Sequence, residues 1–88
     1  MKETKTYVVV GGLWFDKVNG NTYHNAHILS TESGADWYTG FTYGYGSAYY
    51  YSAKDYIINE LGCPEDTFKL LDMGAFYVKY RDLKNNRF

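Results

Sequence analysis

Apolar and polar positions alternate along several stretches of this chain, and each alternation predicts a β-strand. Residues 6–16, TYVVVGGLWFD, are rich in β-branched and aromatic side chains and are interrupted only by Gly11 and Gly12. This composition predicts a long strand with a bulge or bend at the glycines. Asn19-Gly20 follows, and this pair is typical of a two-residue hairpin turn because both positions tolerate a positive φ. The sequence therefore predicts a β-hairpin in the first third of the chain.

A two-residue loop at Asn19-Gly20 fixes the register of this hairpin and pairs Asp16 with Tyr23. Because side chains alternate along a strand, the register also sorts them onto two faces. One face would carry Leu13, Phe15, His24, Ala26 and Ile28, and the other Trp14, Asp16, Tyr23, Asn25 and His27. We expect the first face to join the core. The second mixes aromatic and polar groups, as an open binding face does, although a solvated or dimer-contacting face has the same pattern.

The middle of the chain predicts one more strand and a helix. Residues 37–45, WYTGFTYGY, resume the alternation after a polar loop and predict a third strand. Ser52 and Asp55 have the spacing of a capping box, and apolar residues at helical spacing follow, which predicts a helix over residues 53–61. Gly62 supplies the usual left-handed stop.

The last quarter of the chain completes the predicted fold. Residues 64–71 favour a short helical segment that ends near Gly74, and residues 75–82 alternate as a last strand. The order β-β-β-α-β predicts an α+β domain in which one helix packs on a face of an antiparallel sheet. Residues 1–88 show no repeat or linker, so we expect a single domain.

Composition excludes several classes of function and location. The 88 residues include one cysteine and two histidines, so neither a disulfide nor a structural zinc is expected, and a chain this short is expected to gain stability as a homo-oligomer. A net charge of −1 argues against duplex DNA as a partner. The start, residues 1–5, is charged, and the apolar run Val8–Val10 is too short for a signal peptide or membrane span, which predicts a cytoplasmic protein.

Residues with catalytic or metal-binding chemistry do not form a recognisable site. Ser47, His24 and Asp16 supply the residue types of a hydrolytic triad, yet the register above places Asp16 and His24 on opposite faces. His24 and His27 also lie on opposite faces of one strand, which does not suit a shared metal. We therefore expect no enzyme, no metal site and no cofactor.

The stretch FTYGYGSAYYYSAKDY, residues 41–56, holds six of the eleven tyrosines beside two glycines. Stacking a base on an aromatic ring contributes about 1–3 kcal/mol, and bare glycine backbone offers N–H donors to a phosphate. These rings equally suit a core or a dimer interface. The candidate ligand-binding residues are Trp14, Asp16, Tyr23, Tyr43, Tyr45, Gly46, Ser47, Tyr49, Lys54 and Arg81.

Two segments carry a resemblance to known proteins. WFDKVNGNTYH, residues 14–24, followed by YGYGSAYYYSA, residues 43–53, resembles a group of short proteins encoded by bacteriophages. The resemblance implies a phage origin and an accessory role against host antiviral defence, in the host cytoplasm. It departs after Ser47, where Ala48, Tyr50 and Lys54 replace more polar or acidic residues.

Three functions are compatible with the rings and the resemblance. The first is a protein that sequesters a small nucleotide-type ligand, such as a cyclic oligonucleotide signal of host immunity. The second is an inhibitor that binds a host defence enzyme or CRISPR effector through the same aromatic surface. The third is an RNA-binding module, which is disfavoured because the chain has no basic-aromatic motif of the RNP type and a negative net charge.

Overall fold

A computed structural model describes residues 4–88, and the first three residues of the charged N-terminal segment lie outside this part. The described chain forms five strands, two helices and one 3₁₀ turn. The strands are β1 (Lys5–Asp16), β2 (Asn21–Ser30), β3 (Asp36–Tyr38), β4 (Thr42–Tyr43) and β5 (Phe68–Tyr77). The helices are α1 (Ala48–Asn59) and α2 (Tyr80–Lys84), and the 3₁₀ turn is Glu65–Thr67.

The five strands form one sheet in the order β3-β2-β1-β5, with β4 also pairing with β2. All neighbours are antiparallel except β1 and β5, which run parallel. The parallel pair requires a crossover, and α1 supplies it while packing on one face of the sheet. The predicted α+β class, with one helix covering a mostly antiparallel sheet, is confirmed.

The hairpin between β1 and β2 has a longer loop than predicted. Asp16 pairs with Asn21, so residues 17–20 form a four-residue turn and the predicted Asp16–Tyr23 pairing is wrong. The Asp16 carboxylate accepts hydrogen bonds from the Val18 and Asn19 amides and from the Asn19 side chain, which fixes this wider turn. The register differs by two residues, an even number, so the predicted division of side chains between the two faces holds.

The core lies between the sheet and α1. β1 and β2 contribute alternate residues, α1 adds three side chains, and the segment after α1 supplies the rest. These buried residues are Tyr7, Val9, Ala26, Ile28, Tyr49, Ala53, Ile57, Cys63 and Phe68. Gly11 lies beneath the helix, where a Cβ would sit 2.5 Å from Cγ of Tyr49. This glycine therefore permits close helix–sheet packing. The predicted bulge or bend at the glycines corresponds to a register shift in the β1–β5 ladder between Val9 and Gly11.

Two elements in the middle of the chain begin or break where the sequence did not indicate. The helix starts at Ala48 and not at residue 53, because Ser52 is no cap: its hydroxyl lies 2.7 Å from His24 Nε2 on β2. Gly62 adopts the predicted positive φ of 69° beyond the end of the helix. The predicted third strand is divided into β3 and β4, since Gly40 turns the chain between them with a φ of 103°.

The last quarter of the chain differs most from the prediction. The helical segment predicted for residues 64–71 is a single 3₁₀ turn, and β5 already begins at Phe68. The strand predicted over residues 75–82 ends at Tyr77, and α2 follows on the face opposite α1. Leu83 of α2 is fully buried there and lies next to Gly12. Burial of this one leucine anchors a helix whose sequence alternates as a strand would.

Candidate functional site

The point where β5 leaves β1 creates an open corner in the sheet. The ladder between these strands ends with the pair Leu13–Tyr77, and the Val78 amide donates one further hydrogen bond to the Leu13 carbonyl at 2.8 Å. β1 continues to Asp16 with β2 as its partner, while the segment after β5 turns away into α2. Within residues 4–88, the last residues of β1 therefore have no strand beside them on this edge.

A groove of about 600 Å³ occupies this corner. It is lined by Trp14, Phe15, Lys17, Tyr77, Val78, Lys79 and Asp82, and we call it the corner groove. Its volume lies within the range of about 300–1,000 Å³ that small-molecule sites occupy. Two lysines, one carboxylate and three aromatic rings thus border one space.

An aromatic cluster adjoins the corner groove and shares Trp14 with it. The cluster consists of Trp14, Tyr23, Phe41, Tyr43 and Tyr80. Trp14 stacks on Tyr23 with ring centroids 5.8 Å apart and contacts the Tyr80 ring at 4.8 Å. Tyr23 in turn stacks on Phe41 at 4.9 Å with an interplanar angle of 13°. These contacts hold the Trp14 indole in one orientation beside the groove.

The charges in the corner groove have no ion-pair partner among residues 4–88. Two ion pairs occur in that part of the chain, His27–Asp36 and Lys54–Glu65, and neither involves the groove. Lys17 and Lys79 are exposed, whereas Asp82 is half-buried. Both ammonium groups can therefore meet a ligand without first breaking an internal pair.

Half of the predicted ligand-binding residues lie at this end of the molecule. Trp14, Tyr23 and Tyr43 belong to the aromatic cluster, and Tyr43 remains 60% exposed. Arg81 is exposed on α2, next to the groove residue Asp82 in sequence. Asp16 ends β1 here, but its carboxylate is held by the hairpin turn. Hydrogen bonding to Asn19 lowers the pKa of this carboxyl.

The other predicted residues line neither the corner groove nor the aromatic cluster. Tyr45 is 73% exposed in the loop before α1, the space around Gly46 is open, and Ser47 precedes the first helical residue. Lys54 is paired with Glu65. Tyr49 is 6% exposed within the core.

The Tyr49 hydroxyl donates a 2.7 Å hydrogen bond to Asp72. Burial and this neighbouring carboxylate raise the pKa of Tyr49 to about 12. The phenol is thus neutral and occupied, so it contributes to packing and to the attachment of α1 to β5.

The structure pairs His24 with Ser52 instead of Ser47. His24 Nε2 lies 2.7 Å from the Ser52 hydroxyl, and Nδ1 lies 3.4 Å from the Gly44 carbonyl oxygen. A carbonyl therefore occupies the position where a triad would place a carboxylate. Burial lowers the pKa of this imidazole, which favours the neutral ring. The pair ties α1 to β2 beneath the helix.

Sequence reasoning missed the groove residues Lys17, Tyr77, Lys79 and Asp82. The strand predicted over residues 75–82 would place Tyr77 and Lys79 on one face of a sheet and Asp82 on the other. In the structure, the chain bends at Val78 and brings Lys79 and Asp82 round to Trp14. The three-residue spacing of Lys79 and Asp82 fits one face of a helix and is the signal that could have indicated them.

No protein-family model matches the chain, and comparisons with curated proteins and with solved structures give no significant match. Across residues 4–88, no helix is both long and apolar enough to cross a membrane. The same part of the chain contains no group of three or more histidine, cysteine or acidic residues placed to hold a metal ion. The geometry of the corner groove is therefore the basis for the function proposed below.

Proposed function

We propose that this protein is a non-enzymatic binder that sequesters a small nucleotide-type ligand in the corner groove. The observation that carries the proposal is that two lysines without ion-pair partners among residues 4–88 meet several aromatic rings at one open groove. A nucleotide presents the complementary groups, since its base has a flat face and its phosphate is an anion.

Each part of the groove has a role in this proposal. The base stacks on an aromatic ring at the groove wall, Trp14 or Tyr77, and each stacked base contributes about 1–3 kcal/mol. Tyr77 is 70% exposed, so its face is available without rearrangement. Lys17 follows the end of β1 and Lys79 precedes α2, and both line the groove. They bind the phosphate through charge-assisted hydrogen bonds.

The biological setting of the proposal rests on the resemblance to short phage proteins. We propose a phage accessory protein that acts in the host cytoplasm and removes a nucleotide signal of host immunity, such as a cyclic oligonucleotide. A stoichiometric binder counters such a signal by mass action and needs no catalytic residue. We also propose that the protein acts as a homo-oligomer, since a chain of 88 residues buries a small core.

Isothermal titration calorimetry against a panel of mononucleotides, dinucleotides and cyclic oligonucleotides tests the proposal. We expect at least one to bind with micromolar or tighter affinity. Lys79→Ala and Lys17→Ala should each weaken that binding about tenfold or more, because each removes a charge-assisted bond of about 1.5–3 kcal/mol. Lys54→Ala, on α1, is the matched control and should leave the affinity unchanged. Absence of heat with every nucleotide would refute the proposed function.

A second candidate is an inhibitor that binds a host defence protein. The observation that favours it is the row of exposed apolar side chains along β5, outside the corner groove: Leu71, Met73 and Phe76. Exposed apolar groups of this kind are typical of protein-binding surfaces. Pull-down from host lysate measures this. A stoichiometric protein partner that the Lys79→Ala variant still binds, but that the Met73→Asp variant does not bind, would favour this candidate over nucleotide binding.

A further inference from the structure

Among residues 4–88, Asp82 is the one carboxylate that lines the corner groove, although a carboxylate repels an anionic ligand. The Asp82 side chain is half-buried, and it forms no ion pair or hydrogen bond with any other residue of the described range 4–88. An ionised carboxylate accepts hydrogen bonds and donates none. Asp82 is therefore suited to a neutral ligand group that carries two hydroxyls or N–H donors.

The position of Asp82 relative to Lys79 indicates which group this is. The two residues are three apart at the start of α2, with Lys79 preceding the first helical residue, so their side chains lie on the same side. A ligand group bound by Asp82 consequently lies beside the phosphate bound by Lys79. In a nucleotide, the sugar is attached directly to the phosphate, whereas the hydrogen-bonding edge of the base is one sugar further away.

We propose that Asp82 accepts hydrogen bonds from the ribose hydroxyls, so that the groove selects ribonucleotides over their 2′-deoxy counterparts. This inference rests on the proposed function and specifies its ligand class. A 2′-deoxy ligand leaves one carboxylate oxygen without its partner in a half-buried site. The hydroxyl discriminates because a hydrogen bond to a charged group is stronger than one between neutral groups.

The test compares ADP with 2′-deoxy-ADP by calorimetry on the wild type and on Asp82→Asn. We expect the wild type to bind ADP at least about tenfold more tightly than 2′-deoxy-ADP, because 2′-deoxy-ADP lacks one charge-assisted hydrogen bond. In Asp82→Asn the two ligands should bind with nearly equal affinity, because a neutral amide makes no charge-assisted hydrogen bond to the 2′-hydroxyl. Asp55→Asn, in α1, is the matched control and should keep the wild-type preference.

The outcomes separate this inference from the proposed function. Equal binding of ADP and 2′-deoxy-ADP by the wild type, or a preference that persists in Asp82→Asn, overturns the ribose contact and leaves nucleotide binding in place. A tenfold preference for GDP over ADP that disappears in Asp82→Asn also overturns it, because Asp82 would then read the base. Failure of ADP, 2′-deoxy-ADP and GDP to bind overturns the ribose contact, and it contradicts the proposed function as well when the cyclic oligonucleotides also fail to bind. A cooperative thermal unfolding transition in Asp82→Asn shows that the variant is folded.

Discussion

Tyrosines under α1 and at the corner groove have different surroundings although they share one chemistry. Under α1, the Tyr7 and Tyr49 rings are buried, and their hydroxyls are bound to Cys63 and Asp72. At the corner groove, the Tyr77 ring is exposed and lines the same space as Lys17 and Lys79. The tyrosine hydroxyls under α1 thus have hydrogen-bond partners within the protein, whereas the corner groove keeps ring faces and charges available to a ligand. Substitutions on the two sides should separate stability from binding.

The largest expected effect is on the helix-covered side. Tyr49→Ala should lower the free energy of unfolding by about 3–5 kcal/mol, because it leaves a cavity beneath α1 and above Gly11. Urea denaturation followed by circular dichroism measures this loss. Tyr49→Phe keeps the ring and removes the hydrogen bond to Asp72, so it should cost only about 1 kcal/mol. If Tyr49→Ala lowered the free energy of unfolding by less than about 1 kcal/mol, the attachment of α1 would not depend on this ring.

The hydrogen bond between Ser52 and His24 gives the next largest effect. Ser52→Ala leaves Nε2 of the buried imidazole without a partner and should cost about 1–3 kcal/mol in the same measurement. Ser47→Ala, at the N-terminal end of α1, is a matched control because the Ser47 side chain makes no capping hydrogen bond. Equal losses in the two variants would contradict the role given to the Ser52–His24 pair.

The same imidazole predicts a pH dependence of stability. Burial lowers the pKa of His24 in the folded protein below its ordinary value. Below the unfolded pKa of about 6.5, the unfolded chain therefore takes up a proton that the folded chain resists, and stability falls with falling pH. Above that pH both states are neutral, and this contribution is constant. His24→Gln should show a flatter stability profile on the acidic side, and an unchanged profile would contradict the assignment.

The smallest effect on stability is expected at the corner. Tyr43→Ala removes a ring that is 60% exposed and should change the free energy of unfolding by no more than about 0.5 kcal/mol. A loss comparable with that of Tyr49→Ala would show that the aromatic cluster is part of the folding core. The contrast with Tyr49→Ala is therefore a direct comparison of the two sides.

The sequence was sufficient for the hairpin faces and the α+β class because both depend on the two-residue alternation of side chains. Leu13, His24 and Ala26 fall on the core side in either register, since the predicted and observed registers differ by an even number. The turn was mispredicted because the Asp16 carboxylate stabilises four loop residues, and the Asn19-Gly20 pair alone does not show that contact.

The corner groove was not predictable because it depends on where β5 stops. Residues 75–82 alternate well enough for a strand, and the burial of Leu83 against Gly12 favours a helix there instead. That contact joins residues far apart in the chain. Trp14 and Tyr23 were identified from the sequence because hairpin pairing is local, whereas Lys79 and Asp82 reach the site through a long-range contact.

The central claim is the location of ligand binding, and amide chemical-shift mapping tests it most directly. With a nucleotide that binds in calorimetry, we expect the largest shifts at the Trp14 indole N–H and at the amides of residues 15–17 and 78–82. Residues 46–54 should remain nearly unshifted. Shifts concentrated around Gly46, Ser47 and Lys54, with the Trp14 indole unaffected, would contradict the account.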